Sequence, residues 1–305
     1  MSGHRQLGGI LGPVVTTFRG DESLELDAFA ANVRALLAAG LDGVVVTGST
    51  GEAALVDDEE RVRLLALARQ LVPADRWLVA GTGAESARQA VRRCRAAAAE
   101  GADLALVVAP HYYSGAMSAD ALRAHYLRVA DGSPIPIALY NIPRYMHFHI
   151  PPALVAELAT HGNVAGIKDS SGDAALLAGY LEASSGDFAV LTGSAPGLLA
   201  ALRAGARGGI LAAALFAPTL ALEVRDALQA GDEGAATAAQ ERFALIGREI
   251  VGALGVPGVK AALDLVGLSG GQPRLPLLPL DGAGRARVRD LLAAAAVEPL
   301  AAPAG

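Results

Sequence analysis

The sequence is poor in several residue types, and each scarcity narrows the class of protein. One cysteine, Cys94, occurs among 305 residues, so no internal disulfide can form. Apolar runs such as Leu104 to Ala109 fall far short of the roughly 20 residues that span a bilayer, so we expect no membrane association. The N-terminal stretch MSGHRQLGG has no apolar segment after its basic residues, which predicts a cytoplasmic protein without a secretory signal.

Basic residues are also scarce: 25 stand against 31 acidic residues, giving a formal net charge of −6. No basic block could follow a phosphate backbone, so nucleic acid is excluded as a partner. Only two of the basic residues are lysines, Lys168 and Lys260. A lysine at a functional position is therefore easy to identify.

Short apolar runs alternate with amphipathic stretches through the first two thirds of the chain, which is typical of a parallel sheet covered by helices. We count eight runs, the number that closes a (β/α)8 TIM barrel, here over residues 8–216. A doubly wound open sheet is the alternative. The runs are 12–18, 43–48, 77–81, 104–110, 135–140, 164–168, 188–193 and 209–213.

Helix signals separate these runs. Asp57 and Glu60 have the spacing of a capping box, which indicates a helix start and not a catalytic acid. Gly40 stands where the first helix should end.

The strand pattern stops near residue 217, and the remainder predicts a helical region over 217–298 packed on the barrel. A frayed tail is expected over 299–305. Helical patterns cover 219–230, 233–253, 257–267 and 284–297, with a proline-rich loop at 273–279.

Lys168 is the most informative residue, because it follows the apolar run Val164 to Ile167 and should project into the barrel. Burial disfavours an ammonium ion and so favours the neutral amine that a Schiff base requires. The alternative is a structural lysine paired with Asp169 or Glu52, or one that reaches out of the barrel end.

Other strand ends carry polar groups at the C-terminal face of the barrel, where barrel enzymes bind and convert their substrates. The GSTGE stretch places the Ser49 and Thr50 hydroxyls on a glycine-bounded turn suited to a small carboxylate, although such turns are also common connections. Tyr140 ends the fifth run, and adjacent strands lie about 5 Å apart, so its phenol could exchange protons with Lys168. A purely structural tyrosine is the alternative.

His147 and His149 are the only histidines spaced like a pair of metal ligands. A catalytic metal needs a third ligand and a supporting carboxylate. We therefore expect no metal and interpret both as loop residues.

In this order, GSTGE, YNIP and GIKDSSGD resemble the dihydrodipicolinate synthase/N-acetylneuraminate lyase superfamily over roughly residues 8 to 290. The segments LTGS at 191–194, GGI at 208–210 and the late GVPGVKAALDLVGL add to the resemblance. It implies a class I aldolase that needs no cofactor, because the covalent lysine imine with pyruvate does the chemistry.

The resemblance also implies roles for individual residues. Lys168 would attack the keto carbon and Tyr140 would act as general acid and base. Thr50 would link Tyr140 to a tyrosine from an adjacent subunit, best matched by Tyr112, with Tyr113 as the fallback. That borrowed tyrosine implies a homotetramer built as a dimer of dimers.

Substrate positions follow in the same way. Ser49 and Thr50 would hold the keto-acid carboxylate, the Ile210 backbone carbonyl would face the site, and Gly193 would be a substrate-binding position. Arg144 is the remaining candidate.

The sequence departs from the biosynthetic synthase pattern at one informative position. An arginine typically follows YNVP after one intervening residue and binds a carboxylate, but Tyr145 stands there and Arg144 is one step away. The motifs look closer to aldolases that cleave 4-hydroxy-2-oxoglutarate or 2-keto-3-deoxy sugar acids to pyruvate plus an aldehyde. The synthase, which joins pyruvate to aspartate semialdehyde, is the first alternative, and a keto-acid-binding barrel without turnover is the second.

Overall fold

A computed structural model describes residues 6–184 and 186–300 and contains a closed barrel of eight parallel strands. Each strand pairs with the next one along the chain, and the last pairs with the first. The predicted (β/α)8 barrel is confirmed, and the open-sheet alternative is wrong. The strands are β1 Gly9–Pro13, β2 Gly43–Val46, β3 Trp77–Gly81, β4 Leu104–Val108, β5 Ile137–Asn141, β6 Val164–Asp169, β7 Ala189–Thr192 and β8 Gly208–Ile210.

Helices cover the outside of this barrel, so nearly every strand residue is buried on both faces. This double burial explains why the strands are continuous apolar runs instead of alternating patterns. The helices up to β8 are α1 Leu26–Ala38, α2 Asp58–Leu71, α3 Ala87–Ala99, α4 Ala119–Gly132, α5 Pro143–Met146, α6 Pro152–Leu158, α7 Ala174–Ala183 and α8 Leu198–Arg203.

The helix boundary signals are confirmed. The Asp57 side chain accepts a hydrogen bond from the Glu60 backbone N–H at 2.8 Å, and the Glu60 side chain accepts one from Asp57 at 3.1 Å. Gly40, just past α1, has a φ of 97°, a backbone conformation that glycine adopts without steric cost.

The first strand was placed too late by the sequence pattern, at 12–18 instead of Gly9–Pro13. Beyond Pro13 the chain leaves the barrel, and Phe18 forms isolated antiparallel bridges with Leu24 and Gln272. Val15 and Phe18 are buried by this loop packing. The apolar run therefore continued past the strand because burial continued past it.

After β8 the chain is helical, and one expected helix differs from the structure. The pattern predicted a single helix over 233–253, but it changes to a π-helical segment at Gly247–Gly252. The next helix contains a kink at Gly255, where φ is 62°. Residues 301–305 of the expected frayed tail lie outside the described residues. The helices are α9 Pro218–Gln229, α10 Glu233–Ile246, α11 Ala253–Leu265 and α12 Gly282–Ala294. No described helix has both the length and the apolar character needed to cross a bilayer.

A buried ion pair ties this helical region to the barrel. Lys260 on α11 is 2% exposed, and its Nζ lies 2.6 Å from Glu52 Oε1. The same ammonium donates to the backbone carbonyls of Thr16 at 2.8 Å and Gln272 at 2.7 Å. Burial lowers the pKa of Lys260 below its ordinary value, and the Glu52 carboxylate opposes that shift. The cation that pairs with Glu52, the last residue of the GSTGE turn, therefore comes from α11.

We predict that Lys260→Met lowers the free energy of unfolding by about 3–5 kcal/mol, because it leaves the Glu52 carboxylate buried without a partner. The double variant Glu52→Gln/Lys260→Met should recover part of this loss, since no buried charge remains. Urea denaturation of the single and double variants at one protein concentration provides the measurement. Equal destabilisation in the two variants would show that the pair is not a coupled unit.

Candidate active site

Lys168 and Tyr140 meet inside the barrel on neighbouring strands. They are directly paired in the β5–β6 register, and both side chains are buried, at 6% and 4% exposure. Lys168 Nζ lies 4.2 Å from the centroid of the Tyr140 ring. The structure therefore brings together the amine and the phenol that the sequence singled out.

Both carboxylates that could have neutralised Lys168 are engaged elsewhere. Successive strand residues point to opposite faces, and the Asp169 carboxylate accepts hydrogen bonds from Asn141 Nδ2 and Ser171 Oγ, each at 2.7 Å. Glu52 is paired with Lys260. Within residues 6–184 and 186–300, Lys168 thus forms no ion pair, and the alternative of a structural lysine paired with Asp169 or Glu52 is wrong.

Lys168 lies in a cavity of about 360 Å³ between the barrel mouth and the C-terminal helices. The expected substrate-binding residues all line it, together with Tyr140. Cavities of this size accommodate small metabolites. Those substrate-binding residues are Ser49, Thr50, Arg144, Gly193 and Ile210.

The GSTGE turn is held rigidly at one wall of this cavity. Its residues Ser49–Gly51 form a single 3₁₀ turn, and Thr16 Oγ1 donates to the Gly51 carbonyl at 2.6 Å. A Cβ on Gly51 would lie 2.8 Å from the Val14 carbonyl oxygen, so a larger residue would displace the turn. Ser49 and Thr50 are half-buried. This anchoring fixes two hydroxyls facing the lysine cavity.

Gly193, at the end of β7, leaves the space that the lysine side chain occupies. A Cβ there would lie 2.9 Å from Lys168 Cε and closer still to Ser170 Oγ. Steric exclusion of any side chain at this position therefore explains the glycine, which the sequence motif alone did not reveal.

Arg144 lines the cavity but is already engaged. Its Nη1 donates to the Gly252 carbonyl at 2.7 Å, and its guanidinium carbon lies 5.9 Å from the Tyr145 ring centroid. Tyr145 lines the cavity as well. Arg144 therefore connects the loop after β5 to the π-helical segment.

Tyr112 lies away from the lysine cavity of its own chain. It is 77% exposed and packs edge to face on Tyr113, which is 70% exposed, with 5.0 Å between ring centroids. The backbone N–H groups of His111 and Tyr112 donate to Glu85 at 3.0 and 2.9 Å. Thr50 makes no hydrogen bond to Tyr112 or Tyr140 among the described residues, so this chain alone does not contain the expected relay.

Sequence reasoning missed several cavity residues. Ser170 and Ser194 belong to the quoted motifs but were not assigned roles, although their hydroxyl-bearing side chains line the site. Arg248 lines it from the π-helical segment. A search of strand ends cannot find such a residue, because it comes from a helix about 40 positions after the last strand.

His147 and His149 are exposed on the loop after β5. No group of three or more His, Cys, Asp or Glu side chains suited to a metal ion occurs among the described residues.

Comparison with known proteins identifies the family of the chain. The profile of the dihydrodipicolinate synthetase family matches residues 6–295. A 4-hydroxy-tetrahydrodipicolinate synthase of Methanoculleus marisnigri is 35% identical over 287 residues, covering 93% of this chain and 98% of the relative.

Two solved structures share the fold and were determined with pyruvate. YagE of E. coli K12, a prophage protein of the dihydrodipicolinic acid synthase family, superposes with a TM-score of 0.90 at 30% identity, covering 95% of this chain and 99% of YagE. The chloride-inhibited dihydrodipicolinate synthase of Acinetobacter baumannii gives the same TM-score, identity and coverage. The chain therefore belongs to the dihydrodipicolinate synthetase family and is an enzyme of the lyase class.

Proposed function

We propose that the chain is a class I aldolase-type enzyme that joins pyruvate to an aldehyde, or cleaves the product, through an imine on Lys168. The observation that carries the proposal is a buried amine with no carboxylate partner in the described part of the chain, 4.2 Å from the Tyr140 ring centroid in an open cavity. The pyruvate complexes of two relatives support it. The alternative of a keto-acid-binding barrel without turnover is set aside, because the family is one of lyases.

In the proposed reaction the neutral Lys168 amine attacks C2 of pyruvate, and the keto oxygen leaves as water after two proton transfers. The resulting iminium draws electrons from C3, which loses a proton to give an enamine. The enamine carbon then forms a bond to the aldehyde carbon, the aldehyde oxygen takes up a proton, and the iminium is regenerated. Water adds to the iminium carbon, and cleavage of its bond to Nζ releases the 2-keto product and the Lys168 amine. Tyr140, which is paired with Lys168 in the β5–β6 register, would carry these protons.

The keto-acid carboxylate would lie against the Ser49 and Thr50 turn, where hydroxyl groups and backbone N–H groups can donate to it. The backbone carbonyl of Ile210 would face the same position. No metal or organic cofactor enters this scheme, since the imine supplies the electron sink.

The comparisons favour the synthase alternative over the subgroup that the sequence motifs suggested. The relatives that match include 4-hydroxy-tetrahydrodipicolinate synthases of Methanoculleus marisnigri, at 35% identity, and Xanthomonas axonopodis pv. citri, at 36% identity. We therefore propose condensation of pyruvate with aspartate semialdehyde as the leading activity. Cleavage of a 2-keto acid remains the second candidate, because Tyr145 occupies the position where the synthases typically carry arginine.

We also propose that Tyr112 of one chain reaches the cavity of a partner within a homotetramer. Its 77% exposure in the single chain leaves it free for such a contact. The cytoplasmic location stays a prediction.

Borohydride reduction in the presence of pyruvate should attach the keto acid to Lys168 and to no other lysine. Lys168→Arg should abolish trapping, because a guanidinium stays protonated and cannot form an imine. Peptide mass mapping identifies the modified residue, and circular dichroism verifies that the variant is folded. An adduct on Lys260, or none in the parent protein, would contradict the proposed chemistry.

Gly193→Ala should reduce pyruvate trapping at least tenfold, because the added Cβ would lie 2.9 Å from Lys168 Cε and force that side chain to move. Gly162→Ala is the matched control, since a Cβ there meets no atom within 4 Å. The rate of trapping at fixed pyruvate concentration is the measurement. Equal rates for the two variants would show that Gly193 does not set the position of the lysine.

Steady-state assays should show greater turnover with pyruvate plus aspartate semialdehyde than with 4-hydroxy-2-oxoglutarate or a 2-keto-3-deoxy sugar acid. The expected advantage in kcat/KM is at least a hundredfold. The reverse order would reject the synthase assignment and leave the imine mechanism intact.

A further inference from the structure

We infer that Arg248 is a specificity-determining residue that binds a carboxylate on the aldehyde substrate. This inference deepens the proposed function and rests on it. It assigns carboxylate recognition to the C-terminal helices instead of the loop after β5.

The charged side chains that line the cavity are all basic. Its lining includes the amine of Lys168 and the guanidinium groups of Arg144 and Arg248, but no aspartate or glutamate among the described residues. The other polar side chains of the lining are serines, a threonine and two tyrosines, all of which carry uncharged hydroxyl groups. Pyruvate brings one negative charge, and the protonated imine that it forms with Lys168 carries one positive charge, so these two balance. The guanidinium groups of Arg144 and Arg248 are then left without a negative charge, which favours a second substrate that is also an anion.

The two arginines of the cavity differ in their contacts. Arg144 occupies one N–H in a 2.7 Å hydrogen bond to the Gly252 carbonyl, so it holds the π-helical segment against the loop after β5. Arg248 lies on that same segment, is exposed to solvent, and has no side-chain hydrogen bond or ion pair within the described residues. All N–H donors of the Arg248 guanidinium are therefore available to a ligand, whereas the orientation of the Arg144 guanidinium is set by its bond to Gly252.

The local backbone explains how Arg248 comes to line the cavity. A Cβ on Gly247 would lie 2.7 Å from Ala195 Cβ and 3.0 Å from Pro196 Cδ, so only glycine lets the segment approach the loop after β7 this closely. That loop also carries Ser194, a cavity residue. The π-helical geometry over Gly247–Gly252 accommodates an additional residue within the helix, and such segments recur at functional sites.

These observations account for the tyrosine at position 145. A carboxylate-binding arginine in the loop after β5 is dispensable if a guanidinium from the C-terminal helices reaches the same cavity. Arg144 then serves as a positioning residue, because it fixes the segment that carries Arg248.

The test compares two aldehydes of equal chain length, succinic semialdehyde and butanal, each with pyruvate. The parent protein should give a kcat/KM at least tenfold higher for the carboxylated aldehyde. Arg248→Met should reduce that kcat/KM by roughly 10- to 100-fold, mainly through KM, because a charge-assisted hydrogen bond is lost. The value for butanal should fall by a much smaller factor, because butanal has no carboxylate for the guanidinium to bind.

Arg289→Met is the matched control, since Arg289 is an exposed arginine on α12 outside the cavity. Borohydride trapping of pyruvate on Lys168 is measured for all three proteins and should be the same. Normal trapping together with unchanged aldehyde preference in Arg248→Met would overturn this inference and leave the proposed function standing. Absence of trapping in the parent protein would overturn the proposed function, and this inference with it.

Discussion

The site depends on which of two buried lysines forms an ion pair with a buried carboxylate. Glu52 lies within ion-pair distance of Lys260, and Asp169 is satisfied by Asn141 and Ser171. The other buried lysine, Lys168, has no carboxylate partner among the described residues and lines the cavity. An imine-forming residue needs this condition, because an amine held in an ion pair is not free to attack a carbonyl carbon.

The barrel supplies the condition through its register. Pairing of β5 with β6 places Tyr140 beside Lys168 on the inner face and Asn141 beside Asp169 on the other face, so the amide that binds the carboxylate is built into the same two strands. The C-terminal helices provide the partner for the other carboxylate, because α11 brings Lys260 to Glu52. The helical region is therefore part of the electrostatics of the site and is not only a cover on the barrel.

Much of this could be predicted from the sequence, because the relevant signals are local. A lone lysine at the end of an apolar run, a glycine-bounded turn with two hydroxyls, and a tyrosine ending the preceding strand each identify a strand end, and the barrel brings strand ends together. The choice of ion-pair partner, in contrast, depends on contacts between residues far apart in the sequence. Nothing in the sequence indicated that Glu52 pairs with a lysine 208 positions later instead of Lys168.

Other features escaped prediction for related reasons. The π-helical segment that carries Arg248 depends on the close approach of Gly247 to Ala195 and Pro196, a contact between distant parts of the chain. The engagement of Arg144 with Gly252 is also tertiary. Tyr112 lies outside the cavity of its own chain, so its role depends on a second chain that one sequence does not describe.

A crystal structure of the protein with pyruvate is the most direct test of which lysine pairs with Glu52 and which one forms the imine. The account predicts continuous electron density between Lys168 Nζ and C2 of pyruvate, with the pyruvate carboxylate at the Ser49 and Thr50 turn and Lys260 still on Glu52. Pyruvate bound without a covalent link, or Glu52 turned from Lys260 towards Lys168, would contradict it.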